Sequence, residues 1–346
     1  MEHQYEVTIG IPVYRAEKYI RQAMESALSQ TFFSIEFLII DDAGNDASMD
    51  IIGEFQRSHP RGKDIRVIQH QENLGVGAAR NHILDEAHGR CLYFMDADDT
   101  ISPNTIELLM GKKNACQAEI VYGSYQKIEN FTQEKQVIAF QYPDVDLLEL
   151  DQLATFVFSH CGTFQVSVCN CLIDLNFLRN TGIRFLDSMF WEDMAFTFEM
   201  VINVRRAALL SEITYNYNCH PDSLSNYQDR AVINKEEVLQ NVATVEHVKH
   251  LCREVVEKPY APFLCYNVVM YSFYIVCYIM KHEKRIYPKV SVKEMYRMMT
   301  FPVPVMEVWK FRHKQVVNLL LWLIVHLPIP LWRGVVYIMG KSKNVL

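Results

Sequence analysis

The sequence predicts an α/β fold: a doubly wound, mostly parallel sheet followed by a helical C-terminal extension. Three observations predict it. Over the first 125 residues, short β-rich apolar runs alternate with helical stretches. Polar clusters stand at the C-terminal ends of those runs, where open parallel sheets bind their ligands. Beyond Pro221 the pattern turns helical.

The elements follow in order. VTIGIPVY (7–14) is the first strand, with a helix in AEKYIRQAMESALSQ. FLIIDD (37–42) is the second, with a helix from about 48 to 58. IRVIQH (65–70) is the third, and a helix over 77–88 follows the glycines. CLYFMD (91–96) is the fourth, and SPNTIELLM (102–110) opens a helix with Ser before Pro. EIVYGSY (119–125) is the fifth. From 127 the alternation weakens. KIENFTQEKQVIAFQY reads as a hairpin, 146–158 as a short helix, 164–175 as an apolar strand, and 183–204 as a loop leading into a helix. Val238, Val242, Val245, Val248, Cys252 and Val255 recur at three- and four-residue steps and mark one packed face. The expected division is a first domain over 1–225, in halves 1–125 and 126–225, and a helical region over 226–346.

With 346 residues, half of them apolar and 22% charged, the chain buries a large core, which excludes disordered, collagenous and low-complexity classes. A net charge of −7 argues against nucleic acid as a partner. The charge is segregated. Residues 303–346 hold six bases and one acid, a net of +5, so the rest carries −12. An acidic body with a basic, apolar tail points to a membrane surface.

Nine cysteines, an odd number without a CxxC pair, read as buried free thiols in a reducing compartment. The opening MEHQYEVTIG lacks a charged-then-apolar signal, so a cytoplasmic setting is expected. Residues 262–280 approach bilayer-spanning length, but Asn267, Ser272 and four tyrosines favour a buried helix. VVNLLLWLIVHL (316–327) is too short to span and is cut by Pro328 and Pro330. It reads either as a helix in the membrane interface or as one docked on the body.

Four clusters carry chemistry. Asp96-Ala97-Asp98-Asp99 follows a buried strand; three carboxylates there repel one another unless a cation compensates. Mg²⁺ or Mn²⁺ takes such oxygens together with substrate phosphates; the alternative is a solvated acidic turn. Asp41-Asp42 ends the second strand and can accept hydrogen bonds from a base or sugar, or can simply cap the next helix. Asn73-Leu74-Gly75-Val76-Gly77-Ala78-Ala79-Arg80-Asn81 is a glycine loop opening a helix, suited to a phosphate, with Arg80 adding a fork of donors. It is a poor dinucleotide fingerprint, because an arginine replaces the third glycine and the loop follows the third strand. Trp191-Glu192-Asp193 precedes an apolar helix, as a general base beside aromatics or as acids favoured by the helix dipole. His220 is either structural or a ligand beside a metal.

In this order the motifs resemble nucleotide-sugar glycosyltransferases of family 2, which have the GT-A fold. The resemblance runs from Ile11-Pro12-Val13-Tyr14 through Asp41-Asp42, Asn73-Leu74-Gly75, Ala78-Ala79-Arg80-Asn81 and Asp96-Ala97-Asp98-Asp99 to Glu192-Asp193, covering about 1–225. It implies that Pro12, Tyr14, Glu17 and Asp42, with Asp41 nearby, line a nucleoside pocket. Arg80 would touch the base or diphosphate, and Asp96 the sugar or ribose. Asp98, with His220, would bind Mn²⁺ or Mg²⁺. Asp193 would be the catalytic base, and Glu192 would support the acceptor. The implied reaction is inverting, metal-dependent transfer from a nucleotide sugar, UDP by family frequency, to a glycan or lipid-linked acceptor in surface-polysaccharide synthesis at the inner face of the membrane. The competing classes are a non-catalytic scaffold of the same fold and a sugar nucleotidyltransferase. Three departures stand out: Arg15 where Asn is usual, Ala43-Gly44 in place of Gly-Ser, and Asn170-Cys171 in place of Asn-Lys.

Overall fold

The computed structural model describes residues 4–129, 136–160, 164, 166–188, 191–220 and 230–346. The chain divides into two compact units: 1–153, 166–187 and 200–223 in the first, and 154–165, 188–199 and 224–346 in the second. The C-terminal helices therefore share their unit with two segments that the sequence division placed before 225.

In chain order the elements up to residue 219 are β1 (Tyr5–Val13), α1 (Ile20–Leu28), β2 (Ile35–Asp41), α2 (Ser48–Ser58), β3 (Ile65–Gln69), α3 (Val76–Glu86), β4 (Gly89–Phe94), β5 (Thr100–Ile101), α4 (Thr105–Cys116), β6 (Ile120–Glu129), β7 (Gln136–Phe140), β8 (Val145–Leu147), α5 (Gln152–Ser159), β9 (Cys171–Asp174), α6 (Leu175–Thr181), α7 (Glu192–Asn203) and β10 (Ala207–Cys219). The strands form one sheet in the order β3-β2-β1-β4-β9-β6-β10-β5, with β7 added to β6 and β8 to β10.

The first four strands are parallel, with Val7 opposite Ile35 and Val13 opposite Asp41. β1, β2 and β4 are buried along nearly their whole length, which is why they read as unbroken apolar runs. Gly10 lets α3 lie directly on β1, since a Cβ there would come within 2.4 Å of Ile83. β9 enters antiparallel between β4 and β6, β10 runs parallel to β6, and β5 and β8 pair antiparallel with β10.

Two expected elements differ from the sequence reading. Residues 145–147 pair with β10, so the helix expected over 146–158 starts only at Gln152. Among the described residues of 164–175, only Cys171–Asp174 is strand. Asn170, just before it, takes a left-handed backbone (φ 62°), and its buried amide donates to the Gly123 and Ser124 carbonyls. Its Oδ1 accepts from Thr214 and Tyr93. This satisfied amide locks β9 to its neighbours and accounts for the position in structural terms.

The second unit contains β11 (Ile233–Asn234), α8 (Lys235–Glu254), α9 (Ala261–Lys281), β12 (Ile286–Tyr287), α10 (Val292–Met298), α11 (Val305–Val308), α12 (Gln315–Val325) and α13 (Ile329–Ser342). A capping box of Asn234 and Glu237 starts α8. On its expected packed face Val242 is only half-buried, while Val238, Val245, Val248 and Cys252 are fully buried. α9 is long and apolar enough to cross a membrane, yet 61% of its apolar window is buried within the protein; α8, α10, α12 and α13 pack against it. Phe158 of α5 meets Phe198 of α7 edge-on at 5.0 Å and Tyr260 at 5.6 Å, so these short segments join the helical core. Lys249 is wholly buried, its ammonium held by Glu246, the Met298 carbonyl and Thr300.

Candidate active site

The nucleotide-side residues expected from the sequence all lie in the first unit, in or beside the loops that leave the carboxyl ends of its strands. Pro12 is near the end of β1, paired in register with Ile40. Tyr14 is exposed, and the Arg15 guanidinium lies 5.1 Å from its ring centre. Arg15, Ala43 and Asn45 all have positive φ (51°, 58° and 53°). A Cβ on Gly44 would sit 2.6 Å from the Arg15 backbone nitrogen, so the displaced glycine is what lets the two loops touch. Glu17 couples the same loops: its N–H donates to Asp46 at 3.0 Å, and its carboxylate accepts from the Ala47 N–H at 3.2 Å. Against the upward push of partial burial, hydrogen bonds from Ser48 and Glu17 hold the Asp46 carboxyl below its usual range. Asp41 accepts from the Gln69 amide at 3.3 Å.

Asp42 turns inward and is 3% exposed. Its oxygens accept from the backbone N–H groups of Leu74 and Gly75, both at 2.9 Å, and lie 2.7 Å from His70 Nδ1. Gly75 is needed there, because its φ of 90° is costly for any side-chain-bearing residue. His70 Nε2 lies 2.9 Å from His82 Nδ1, with the two rings stacked at 5.2 Å. With an ionised Asp42 and neutral rings, His70 donates from Nδ1 and accepts from His82 at Nε2. Asp42 thus anchors the glycine loop and a histidine pair.

On α3, buried Arg80 donates to Asp96 at 2.9 Å, and its guanidinium lies 5.6 Å from the Phe185 ring centre. The structure brings together two residues to which the family resemblance gave different expected roles. Asn81 beside it forms two 2.9 Å hydrogen bonds with the backbone N–H and carbonyl of Phe185, fixing that segment.

After β4 the three carboxylates separate in role. Asp99 is buried; it accepts from the Tyr215 hydroxyl at 2.6 Å and the Asn218 N–H at 2.8 Å. Burial, then the charges of Asp98 and Asp96, push its carboxyl well above the usual range. Tyr215 also accepts from the Asp96 N–H at 3.3 Å, so one hydroxyl pins both ends of the acid loop to β10. Asp98 keeps 31% of its side chain exposed, and its Oδ2 lies 2.7 Å from His220 Nε2. His220 in turn stacks on Tyr19, with ring centres 4.1 Å apart.

A carboxylate oxygen and an imidazole nitrogen side by side suit Mn²⁺ or Mg²⁺ when phosphate oxygens and water complete the shell. Among the described residues no group of three or more His, Cys, Asp or Glu converges on one point. One carboxylate and one imidazole fit an ion that takes its remaining ligands from a substrate and water.

Glu192 and Asp193 stand in the first turn of α7, which begins in the second unit. Glu192 is buried and Asp193 half-buried, behind Trp191 with φ 60°. The Trp191 ring meets Tyr271 of α9 at 6.1 Å.

Sequence reasoning missed His70, His82, Tyr215 and Asn218. The histidines left a faint signal: one ends a strand and the other follows the glycine loop. Tyr215 lies inside ITYNYN, where the period-2 alternation marks a strand but not which face meets the acids.

A family profile described as Glycosyl transferase family 2 matches residues 8–173. The glycosyltransferase GlyA of Streptococcus pneumoniae serotype 4 is 38% identical over 120 residues, which is 35% of this chain and 17% of that protein. The poly(ribitol-phosphate) beta-glucosyltransferase of Bacillus spizizenii is 26% identical over 216 residues, 61% of this chain and 32% of that protein. The chain thus spans a third or less of the length of these relatives. Among solved structures, S. aureus TarS 1–349 in complex with UDP-GlcNAc superposes with a TM-score of 0.69 at 17% identity, covering 98% of this chain and 92% of that one; this likeness concerns the fold. Most of the α/β sheet and the strand-end carboxylates thus lie within a region, residues 8–173, that matches glycosyl transferase family 2.

Proposed function

We propose that the protein transfers a sugar, with inversion, from a UDP-sugar to a hydroxyl of a polysaccharide or lipid-linked acceptor. The observation that carries this reading is the partly exposed Asp98–His220 pair beside the Arg80–Asp96 pair at the strand ends. The UDP-GlcNAc named for the TarS structure and the poly(ribitol-phosphate) acceptor named for the Bacillus relative support the two substrate classes.

In this reading Asp98 and His220 would hold Mn²⁺ or Mg²⁺. When bound, that ion would neutralise charge on the departing nucleoside diphosphate. Asp193 takes the proton of the acceptor hydroxyl as its oxygen attacks the anomeric carbon, and the bond from that carbon to the diphosphate oxygen breaks. Arg80, held by Asp96, keeps a cation in the donor site, and Glu192 orients the acceptor.

The test is release of nucleoside diphosphate from a panel of nucleotide sugars, with Mn²⁺ or with EDTA. Release from one donor should disappear with EDTA and in Asp98→Ala. Asp193→Asn should lose about 10²–10⁴-fold in turnover while still binding UDP. Normal turnover in Asp193→Asn removes the base assignment, and failure to bind any nucleotide removes the transferase reading.

A further inference from the structure

The second unit carries an apolar surface that its own core does not use. α12 buries Asn318, Leu321 and Val325 and exposes Val316, Leu320 and Leu323, at steps of four and three residues, with exposures of 70%, 53% and 56%. α13 buries Trp332, Val336 and Gly340 and exposes Leu331 and Ile338, one heptad apart, at 61% and 69%. Both helices pack on α9 with their buried sides: the Asn318 amide donates to the Pro262 carbonyl, and Gly340 approaches Cys277. Just before them Trp309 is 61% exposed. Nearly half of the large hydrophobics exposed among the described residues lie between Met306 and Ile338.

The charge of this stretch selects its occupant. Glu307, its one acid, pairs with Lys310 at 2.9 Å, while Arg312, Arg333, Lys341 and Lys343 are exposed. A second copy docking on the same face would set +5 against +5, because an isologous contact repeats the same patch. An anionic surface with an apolar interior meets both features at once. From this we infer that α12 and α13 lie in the surface of a bilayer containing anionic phospholipid, with Val316, Leu320, Leu323, Leu331 and Ile338 at acyl-chain level and the bases among the headgroups. The turn at Pro328 and Pro330 lets two short helices lie flat where one long helix would cross. This inference does not depend on the sugar-transfer reading.

Co-sedimentation with vesicles tests it. Vesicles of phosphatidylcholine with a third phosphatidylglycerol should bind the full chain at least about tenfold more strongly than phosphatidylcholine alone, and high salt should weaken the binding. Leu320→Glu/Leu323→Glu, on exposed positions that leave the core intact, should lower binding at least about tenfold, with an unchanged circular dichroism spectrum and melting temperature. Lys341→Glu/Lys343→Glu should abolish the preference for phosphatidylglycerol. Absence of binding to either vesicle, or binding undiminished in the leucine variant, overturns the inference. So does a dimer in sedimentation velocity that the leucine variant dissociates without any vesicle binding, which would assign the face to a second copy.

Discussion

Ala43 holds a left-handed backbone that costs an L-residue about 1–2 kcal/mol, while Gly44 beside it is needed because a methyl group would strike the Arg15 backbone. The two substitutions should therefore act in opposite directions. Ala43→Gly relieves strain against a smaller loss from chain entropy and should stabilise by about 0.5–1 kcal/mol. Gly44→Ala should destabilise by about 1 kcal/mol or more; urea unfolding of both variants measures this. At this scale the sequence was legible in kind. The shifted glycine was visible, but not that Ala43 would absorb the strain. Asp42 was visible as a strand-end acid, yet its burial against His70 and two backbone N–H groups depends on where a loop thirty residues later returns. Asp98 and His220 are 122 residues apart and were linked beforehand only by family resemblance.

Elements whose partners are neighbours in sequence could be read directly. β1, β2 and β4 are buried on both faces, and a continuous apolar run can satisfy few other environments. β9 could not be placed, because its apolar residues say that it is buried but not that it enters antiparallel between β4 and β6. β10 shows period-2 alternation only in its second half, ITYNYN; its first residues, Ala207–Leu209, are buried in succession and show no alternation. This strand carries the acid loop through one hydroxyl. Tyr215→Phe should cost about 1–3 kcal/mol in urea unfolding, since it strips an acceptor from the Asp96 N–H and a donor from buried Asp99. If Asp98 works as proposed, the same variant should also weaken UDP binding.

For the molecule as a whole, composition announced the large core and the charged asymmetry, but not the division into units. Nothing in the composition of residues 154–165 and 188–199 says which core they serve; Phe158 and Phe198 packing together near Tyr260 shows it. A pH dependence follows from the same unit. The hydrogen bond to Glu199 raises the His247 pKa, outweighing burial, which lowers it. The stabilisation is fully present below the ordinary histidine value of about 6.5 and is lost as pH rises through the raised one. Unfolding midpoints should thus fall between mildly acidic and mildly alkaline pH, and Glu199→Gln should flatten that slope. The eight described cysteines are all buried, five in the first unit and three in the second. Burial pushes the Cys91 thiol up to about 12 and the Cys277 thiol up to about 11, so neither is a nucleophile in the closed state. A thiol reagent therefore has to wait for the fold to breathe. Peptide-by-peptide labelling rates would time the opening of each unit separately, giving the protein an internal clock for its own local unfolding.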